Sequence, residues 1–328
     1  VATSYPELGR DRDAWILERR GRRNSVDARR PYAFVLEQEL SDAREVVPVA
    51  TLFLTNRECP WRCLMCDLWR NTLAETVPIG AIPEQIDFAL AQLGSARVIK
   101  LYNSGSFFDV RAIPSEDYGP IADRVSRFDR VIVECHPALL GKSVFRFRDM
   151  LAGKLEVAMG LETAHPQTLA RLNKRMTVEQ FGAASEVLRR NGVALRVFVL
   201  VKPPFQTDEE AWEGCRRSIE FAFSCGATVV SLIPTRGGNG ALQALAQQGE
   251  FRPPRLELLE AAVEYGIHLG HGRVFADLWD LEKFSTCSHC FARRAERLGR
   301  INLTQQLEPP VTCALCDGLK NRPGALPV

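Results

Sequence analysis

The chain has 328 residues, 46% of them hydrophobic and 25% charged, and a formal net charge of +2, which suits a globular protein with a real core: one large domain with an appendage, or two domains. No apolar run reaches transmembrane length and the polar opening "VATSYPELGRDRD" has no signal-peptide pattern, so a membrane protein and a secreted disulfide scaffold are both excluded as readings. The near-neutral total does not mark a nucleic-acid binder, although it leaves room for a local basic patch.

In chain order, residues 1–47 read as an irregular, charged lead-in in which Arg19, Arg20, Arg22, Arg23, Arg29 and Arg30 lie close together. Such a run is a solvated arm or, because arginine pairs with phosphate oxygens, a phosphate-contacting one. From residue 48 the chain alternates. "VPVATLFLT" predicts a strand, "PEQIDFALAQLG" a helix with Pro83 near its start and Gly94 past its end, "RVIKLYNSG" a strand running into a glycine turn, "IADRVSRF" a helix and "RVIVECHP" a strand. "LEVAMGLET" is a strand, "TVEQFGAASEVLRRNG" a helix and "VALRVFVLVKP" a strand. The helix "TDEEAWEGCRRSIEFAFSCG" opens on a Thr207 cap with acids in its first turn. "ATVVSLIP" (strand), "PRLELLEAAVEYGIHLG" (helix) and "RVFADLW" (strand) complete the series.

About seven strands separated by helices imply parallel pairing with right-handed crossovers, hence an α/β fold: a partial (β/α)6-type parallel barrel over 48–282, followed by a small Cys-rich module over 283–328. Sites in such folds sit at the carboxyl ends of the strands. The unusual residues of this chain cluster there: the "NRECPWRCLMCDLW" stretch, "NSGS", "ECHP", "GLET", "VKPP", "IPTRGG" and "DLWD".

Cys59, Cys63 and Cys66 follow the first of these strands as Cys-x3-Cys-x2-Cys. Three thiolates do not close a tetrahedral zinc site, but they can hold three irons of a [4Fe–4S] cube and leave the fourth open. This motif in this position resembles the radical S-adenosylmethionine superfamily. The resemblance implies that the open iron chelates the amino and carboxylate groups of S-adenosylmethionine, that one electron from the cluster breaks the sulfonium bond, and that the resulting 5′-deoxyadenosyl radical takes a hydrogen from the substrate. It also implies that Asn103, Ser104, Gly105 and Ser106 stand where the family binds the methionine amino group, here without an acid in the turn. Glu162 and Glu134 close their strands, and each is either a cofactor ligand or half of a structural ion pair. Arg196 and Lys202 are candidates for the S-adenosylmethionine carboxylate, Lys202 better placed by the strand-end rule. His136 is a candidate for proton transfer, and Asp277 and Asp280 for an amine or hydroxyl of the substrate, against plain hydrogen-bonding and capping roles. Trp61 and Met65 are expected beside the cluster. A reductant such as flavodoxin or ferredoxin follows from the same resemblance.

Further stretches, "LYNSGSFFD", "LNKRMT", "VLVKPPF" and "INLTQ", resemble the radical-SAM subunit of archaeosine synthase and its bacterial relatives, near the radical-SAM half of the elongator acetyltransferase family. That implies a lysine-modified 7-deazaguanine nucleoside of tRNA as substrate, with Lys174, Arg175 and the lead-in arginines available to phosphate. A small-metabolite substrate, or a non-catalytic metal-knuckle protein that binds RNA, are the other readings. Cys287-x2-Cys290 and Cys313-x2-Cys316, with 22 residues between the pairs, make a four-thiolate site that suits structural zinc or an auxiliary iron–sulfur cluster. His289 lies between two ligands and is not counted as one, and Cys135, Cys215 and Cys225 are expected to be buried thiols. Close-spaced cysteines in such a chain point to a reducing cytoplasm. The sequence sets no oligomeric state.

Overall fold

The computed structural model describes residues 4–316. In order the elements are α1 (Gly9–Glu18), β1 (Ala33–Leu40), β2 (Val46–Phe53), α2 (Ala81–Leu90), β3 (Val98–Tyr102), α3 (Tyr118–Arg124), β4 (Arg130–Glu134), α4 (Lys142–Met150), β5 (Lys154–Glu162), α5 (Pro166–Arg171), α6 (Val178–Arg190), β6 (Ala194–Val201), α7 (Asp208–Ser224), β7 (Val229–Pro234), α8 (Ala241–Gln247), α9 (Leu256–Leu269), β8 (Arg273–Ala276) and α10 (Ser288–Thr304). The strands form a single eight-stranded sheet in chain order, with β1 antiparallel to β2 and every later pair parallel. The sheet curls into a partial barrel. Apolar side chains of its convex face, such as Ile99, Val131, Val157, Val197 and Val230, pack fully buried against the crossover helices. Thr207 caps α7 as expected, in a reciprocal capping box with Glu210.

The lead-in is more ordered than its sequence suggests. β1 has a mixed pattern, because Glu37 and Glu39 share a face with Ala33 and Val35 while Gln38 interrupts Phe34, Leu36 and Leu40 on the other. The acids turn towards cations of the sheet instead. Lys100 of β3 lies 2.8 Å from Glu37 and 2.7 Å from Glu39, and Arg196 of β6 lies 2.6 Å from Glu39 and 2.7 Å from Glu156 of β5. Arg130 joins Glu156 at 3.1 Å, and Arg273 of β8 donates to the Leu40 carbonyl at 2.6 Å. Burial acts to raise the Glu39 carboxyl, and Arg196 with Lys100 overcomes it, holding the group well below the usual carboxylate range. This network occupies the amino-end half of the barrel. Arg196 belongs to it.

The other edge of the sheet is closed by side chains. Val274 of β8 donates to Gln305 Oε1 at 2.6 Å and accepts from Gln305 Nε2 at 2.8 Å, and Ala276 exchanges two 2.9 Å bonds with Asn302. The "INLTQ" stretch thus supplies two amides that stand in for a neighbouring strand. Arg294 and Arg297 of α10 reach Glu260 and Glu264 of α9, fixing the helix against the barrel wall.

Replacing Arg196 by methionine leaves Glu39 and Glu156 short of their shared cation. The variant should lose about 3–5 kcal/mol of stability, read from the urea midpoint, whereas a loss below about 1 kcal/mol would mean that Lys100 and Arg130 suffice.

Candidate metal and cofactor site

The cysteine loop leaves β2 at the carboxyl end of the barrel and is gripped from three sides. Leu64 donates to the Leu172 carbonyl at 2.9 Å, the Asn173 side chain donates to the Arg62 carbonyl at 2.8 Å, and the Asn239 side chain donates to the Leu64 carbonyl at 2.6 Å. The Leu64 side chain is buried among Trp15 and Ile16 of α1 and Leu242 and Leu245 of α8. On the loop's near side Glu58 receives Arg20 at 2.6 Å, Arg62 at 3.1 Å, and Arg23. Arg19 lies over the Trp15 ring, Arg29 pairs with Glu84, and Arg30 lies over the Phe88 ring. Arg20 and Arg23 therefore fasten the lead-in to the cysteine loop through Glu58, and Arg29 and Arg30 fasten it to α2.

The loop brings Cys59, Cys63 and Cys66 within electrostatic reach of one another. Burial pushes the Cys59 thiol up to about 11 and the Cys66 thiol up to about 12, and it raises Cys63 further. As free groups they would stay protonated at neutral pH, and a bound metal is what makes thiolates stable in such surroundings. The residues around them fit a bound group. A Cβ on Gly105 would stand 3.3 Å from Cys59 Cβ, so glycine keeps the approach open. Both polar atoms of the Asn103 side chain are buried without a partner, which a ligand in the cradle would satisfy.

The "NSGS" turn is held from beneath. Asn103 donates its backbone N–H to Glu134 Oε2 at 2.8 Å, and Ser104, in the left-handed region at φ 55°, lies 3.2 Å by its hydroxyl from that of Tyr32. Glu134 thus brings a carboxylate to a turn that lacks one, and burial pushes it up to about 7 against those backbone donors. The His136 N–H donates to Ser106 Oγ at 3.3 Å. His136 Nδ1 accepts from Ala138 N–H at 3.2 Å, so the proton sits on Nε2, 3.0 Å from the Lys174 carbonyl. Burial and the Lys174 ammonium push His136 down to about 4, and its ring stacks on Trp61 at 3.8 Å. Glu162 pairs with Lys174.

No family model matches the chain. It is 27% identical over 219 residues to archaeosine synthase subunit beta of Methanosarcina acetivorans, covering 63% of each chain. It is 24% identical over 251 residues to an uncharacterized protein of Methanocaldococcus jannaschii, covering 72% of this chain and 69% of that one. Methanocaldococcus infernus Elp3 shares the fold with a TM-score of 0.51 at 15% identity, over 67% of this chain and 59% of its own. The resemblance is to the radical S-adenosylmethionine superfamily. The chain spans somewhat under two thirds of the archaeosine synthase subunit and of the Elp3 chain.

The remaining candidates have protein partners of their own. Arg196 is held in the ion network at the other end of the barrel. Lys202 pairs with Asp208 in the first turn of α7. Asp277 lies 2.7 Å from Arg236 and accepts from the Trp279 N–H at 3.0 Å. Asp280 is exposed and pairs with Lys283 at 2.5 Å. Sequence reasoning missed Tyr32 and gave Lys174 to phosphate. "LNKRM" reads as an exposed basic run, and only its contacts reveal that Lys174 is buried beside "GLET".

The sulfurs of Cys287, Cys290, Cys313 and Cys316 all lie within 4.8 Å of one another, with Cys287–Cys313 at 4.0 Å and Cys290–Cys316 at 3.6 Å, and could hold a metal ion. His289 is exposed and outside the set. Cys135 and Cys215 are buried and Cys225 half-buried.

Because the folded state holds the Glu134 proton up to about 7 against an ordinary 4.5, it binds more protons than the unfolded chain between those values. Stability from this group is therefore lost as pH rises through that window. Thermal midpoints of wild type and Glu134→Gln should diverge in the variant's favour from pH 4.5 to 7, and a difference independent of pH would contradict this assignment.

Proposed function

We propose that this chain is a radical S-adenosylmethionine enzyme acting on a planar, base-like substrate, a lysine-modified 7-deazaguanine nucleoside of tRNA, together with a partner subunit. The observation that carries the chemistry is the gathering of Cys59, Cys63 and Cys66 in one loop at the carboxyl mouth of the barrel, with Gly105 against Cys59 and an unpartnered Asn103 amide beside it. Cys59, Cys63 and Cys66 would hold a [4Fe–4S] cluster, which would supply one electron, received from a donor such as flavodoxin or ferredoxin, for cleavage of the cofactor's sulfonium bond. Asn103, Ser104, Gly105 and Ser106 bind the methionine end of the cofactor. Glu134 fixes that turn through its backbone N–H groups, and the His136–Trp61 stack orients the loop and narrows water access.

The substrate class is supported by the archaeosine synthase relative and by the rings at the barrel mouth. Trp279 is 59% exposed, and its backbone is tethered by Asp277 and by Arg236, which donates to its carbonyl at 2.5 Å. Its ring meets Phe53 at 5.9 Å, and Phe53 continues to Tyr32 at 5.8 Å and Tyr102 at 6.2 Å. Bases stack on such rings. Arg20, Arg23 and Arg29 are already paired with carboxylates, which favours a partner subunit as a source of contacts to tRNA phosphates.

For the four late cysteines we favour zinc. Four thiolates around one ion with bonds of about 2.3 Å lie about 3.8 Å apart, whereas a cube binds each thiolate through a different iron and spreads them further. Separations of 3.6 Å and 4.0 Å match the single ion.

Anaerobically prepared protein should contain about four irons and one zinc per chain, and the triple alanine variant at Cys59, Cys63 and Cys66 should retain the zinc alone and cleave no S-adenosylmethionine. Iron absent from both proteins would refute the radical reading, and iron surviving in the variant would move a cluster to the late cysteines. Trp279→Ala should weaken binding of a 7-deazaguanine nucleoside, followed by equilibrium dialysis, by roughly tenfold, about 1.4 kcal/mol. Unchanged affinity would remove Trp279 from the substrate site.

A further inference from the structure

We propose that the buried Lys174–Glu162 pair sets the reduction potential of the cluster held by Cys59, Cys63 and Cys66, the ammonium raising it and the carboxylate lowering it. The inference rests on the radical reading of that loop and adds two positioning residues that act on the cluster through space.

The pair is built into the cysteine loop's support rather than placed beside it by chance. Lys174 lies in the segment Leu172–Met176, of which Leu172 and Asn173 grip the backbone of Leu64 and Arg62. The Lys174 carbonyl is fixed by His136, whose ring stacks on Trp61 between the first two cysteines. Asn173 and Arg175 on either side of it adopt φ of 57° and 60°, and Glu162 adopts 66° at the irregularity where β5 leaves its register with β6. Left-handed non-glycine residues are strained, so this geometry is over-determined by its surroundings. Gly160 completes it. A Cβ there would collide with both Glu162 Oε1 and Lys174 Nζ, so the pair lies across a position that only glycine can leave empty.

A buried ion pair is weak evidence of stabilisation, because desolvation cancels much of the attraction. Its placement suggests another use. The Lys174 ammonium lies within electrostatic reach of Cys59 and Cys63, and Glu162 within reach of Cys63. A cluster on three thiolates gains negative charge when it accepts an electron. A nearby cation favours that reduced form, and a nearby anion opposes it, with little water to screen either. Two opposite charges fixed against one another let the fold set a potential between the values that either alone would impose.

The test is a potentiometric titration of the [4Fe–4S] couple, followed by electron paramagnetic resonance, in anaerobically prepared holoprotein. Lys174→Met should shift the potential negative and Glu162→Gln should shift it positive. The double variant should return towards wild type, and Lys174→Arg, which keeps the charge, should stay near it. Shifts of the same sign in the two single variants, or none in either with iron retained, would overturn the proposal. If Lys174→Met fails to hold its cluster, Glu162→Gln decides alone: a positive shift supports the assignment and any other result refutes it. A wild-type protein with no cluster signal would fail differently, by removing the radical reading on which this inference stands.

Discussion

Between Thr55 and Leu73 the chain has one β-bridge, Arg57 to Leu73, one 3-10 turn, Leu68–Asn71, and a few bonds within the loop such as Cys66 N–H to the Cys63 carbonyl, so the Cys59–Cys66 loop takes much of its shape from contacts outside itself. A loop that must aim three sulfurs at a common point has little backbone pairing to spare, and each thiol that is buried resists ionisation. The elements around it answer that constraint. α1 lays Trp15 and Ile16 over Leu64, Arg20 and Arg23 of the lead-in converge on Glu58, and the turn from Leu172 to Lys174 takes the loop's amides and carbonyls. Removing the lead-in would therefore strip a wall from the site rather than trim an accessory tail.

The two ends of the barrel handle buried charge in opposite ways. At the amino end Glu39, Glu156, Lys100, Arg130 and Arg196 answer one another at 2.6–3.1 Å, so the polar interior is closed on itself. At the carboxyl end Asn103 keeps both amide atoms unpaired, Glu134 is held near neutrality, and left-handed residues gather at Ser104, Glu162, Asn173 and Lys202. Unsatisfied polar atoms and strained backbone are costly where nothing binds. Their concentration at one mouth is an argument for the site that does not use the cysteine motif.

The sequence made much of this readable, for reasons that also mark its limits. The parallel series, the Thr207 cap and both cysteine sets depend on local spacing, which the chain displays directly. β1 stayed hidden because Glu37 and Glu39 face cations from β3 and β6, and an acid turned inward looks the same in sequence as an acid turned to water. Arg196 was drawn towards the cofactor because strand position alone did not reveal that Glu39 would arrive from the lead-in to claim it. Lys174 looked like a phosphate ligand for the same reason: its partner, Glu162, lies in another element, and the gap left by Gly160 has no local signature.

The C-terminal segment belongs to the same logic of outside support. α10 is anchored at its start by the four late sulfurs and at its end by Asn302 and Gln305, which complete the hydrogen bonding of β8. Asn302 pairs with Ala276, the residue before Asp277, and Asp277 in turn holds Arg236 and the Trp279 backbone. A single rigid helix therefore joins the thiol site to the loop that presents the exposed ring at the barrel mouth. Because a β-strand of four residues has little pairing with which to hold its own exit loop, that loop leans on α10, which is held by the late sulfurs at its start and by Arg294 and Arg297 against α9. An ion held by the four late sulfurs would thereby brace the loop at this mouth of the barrel.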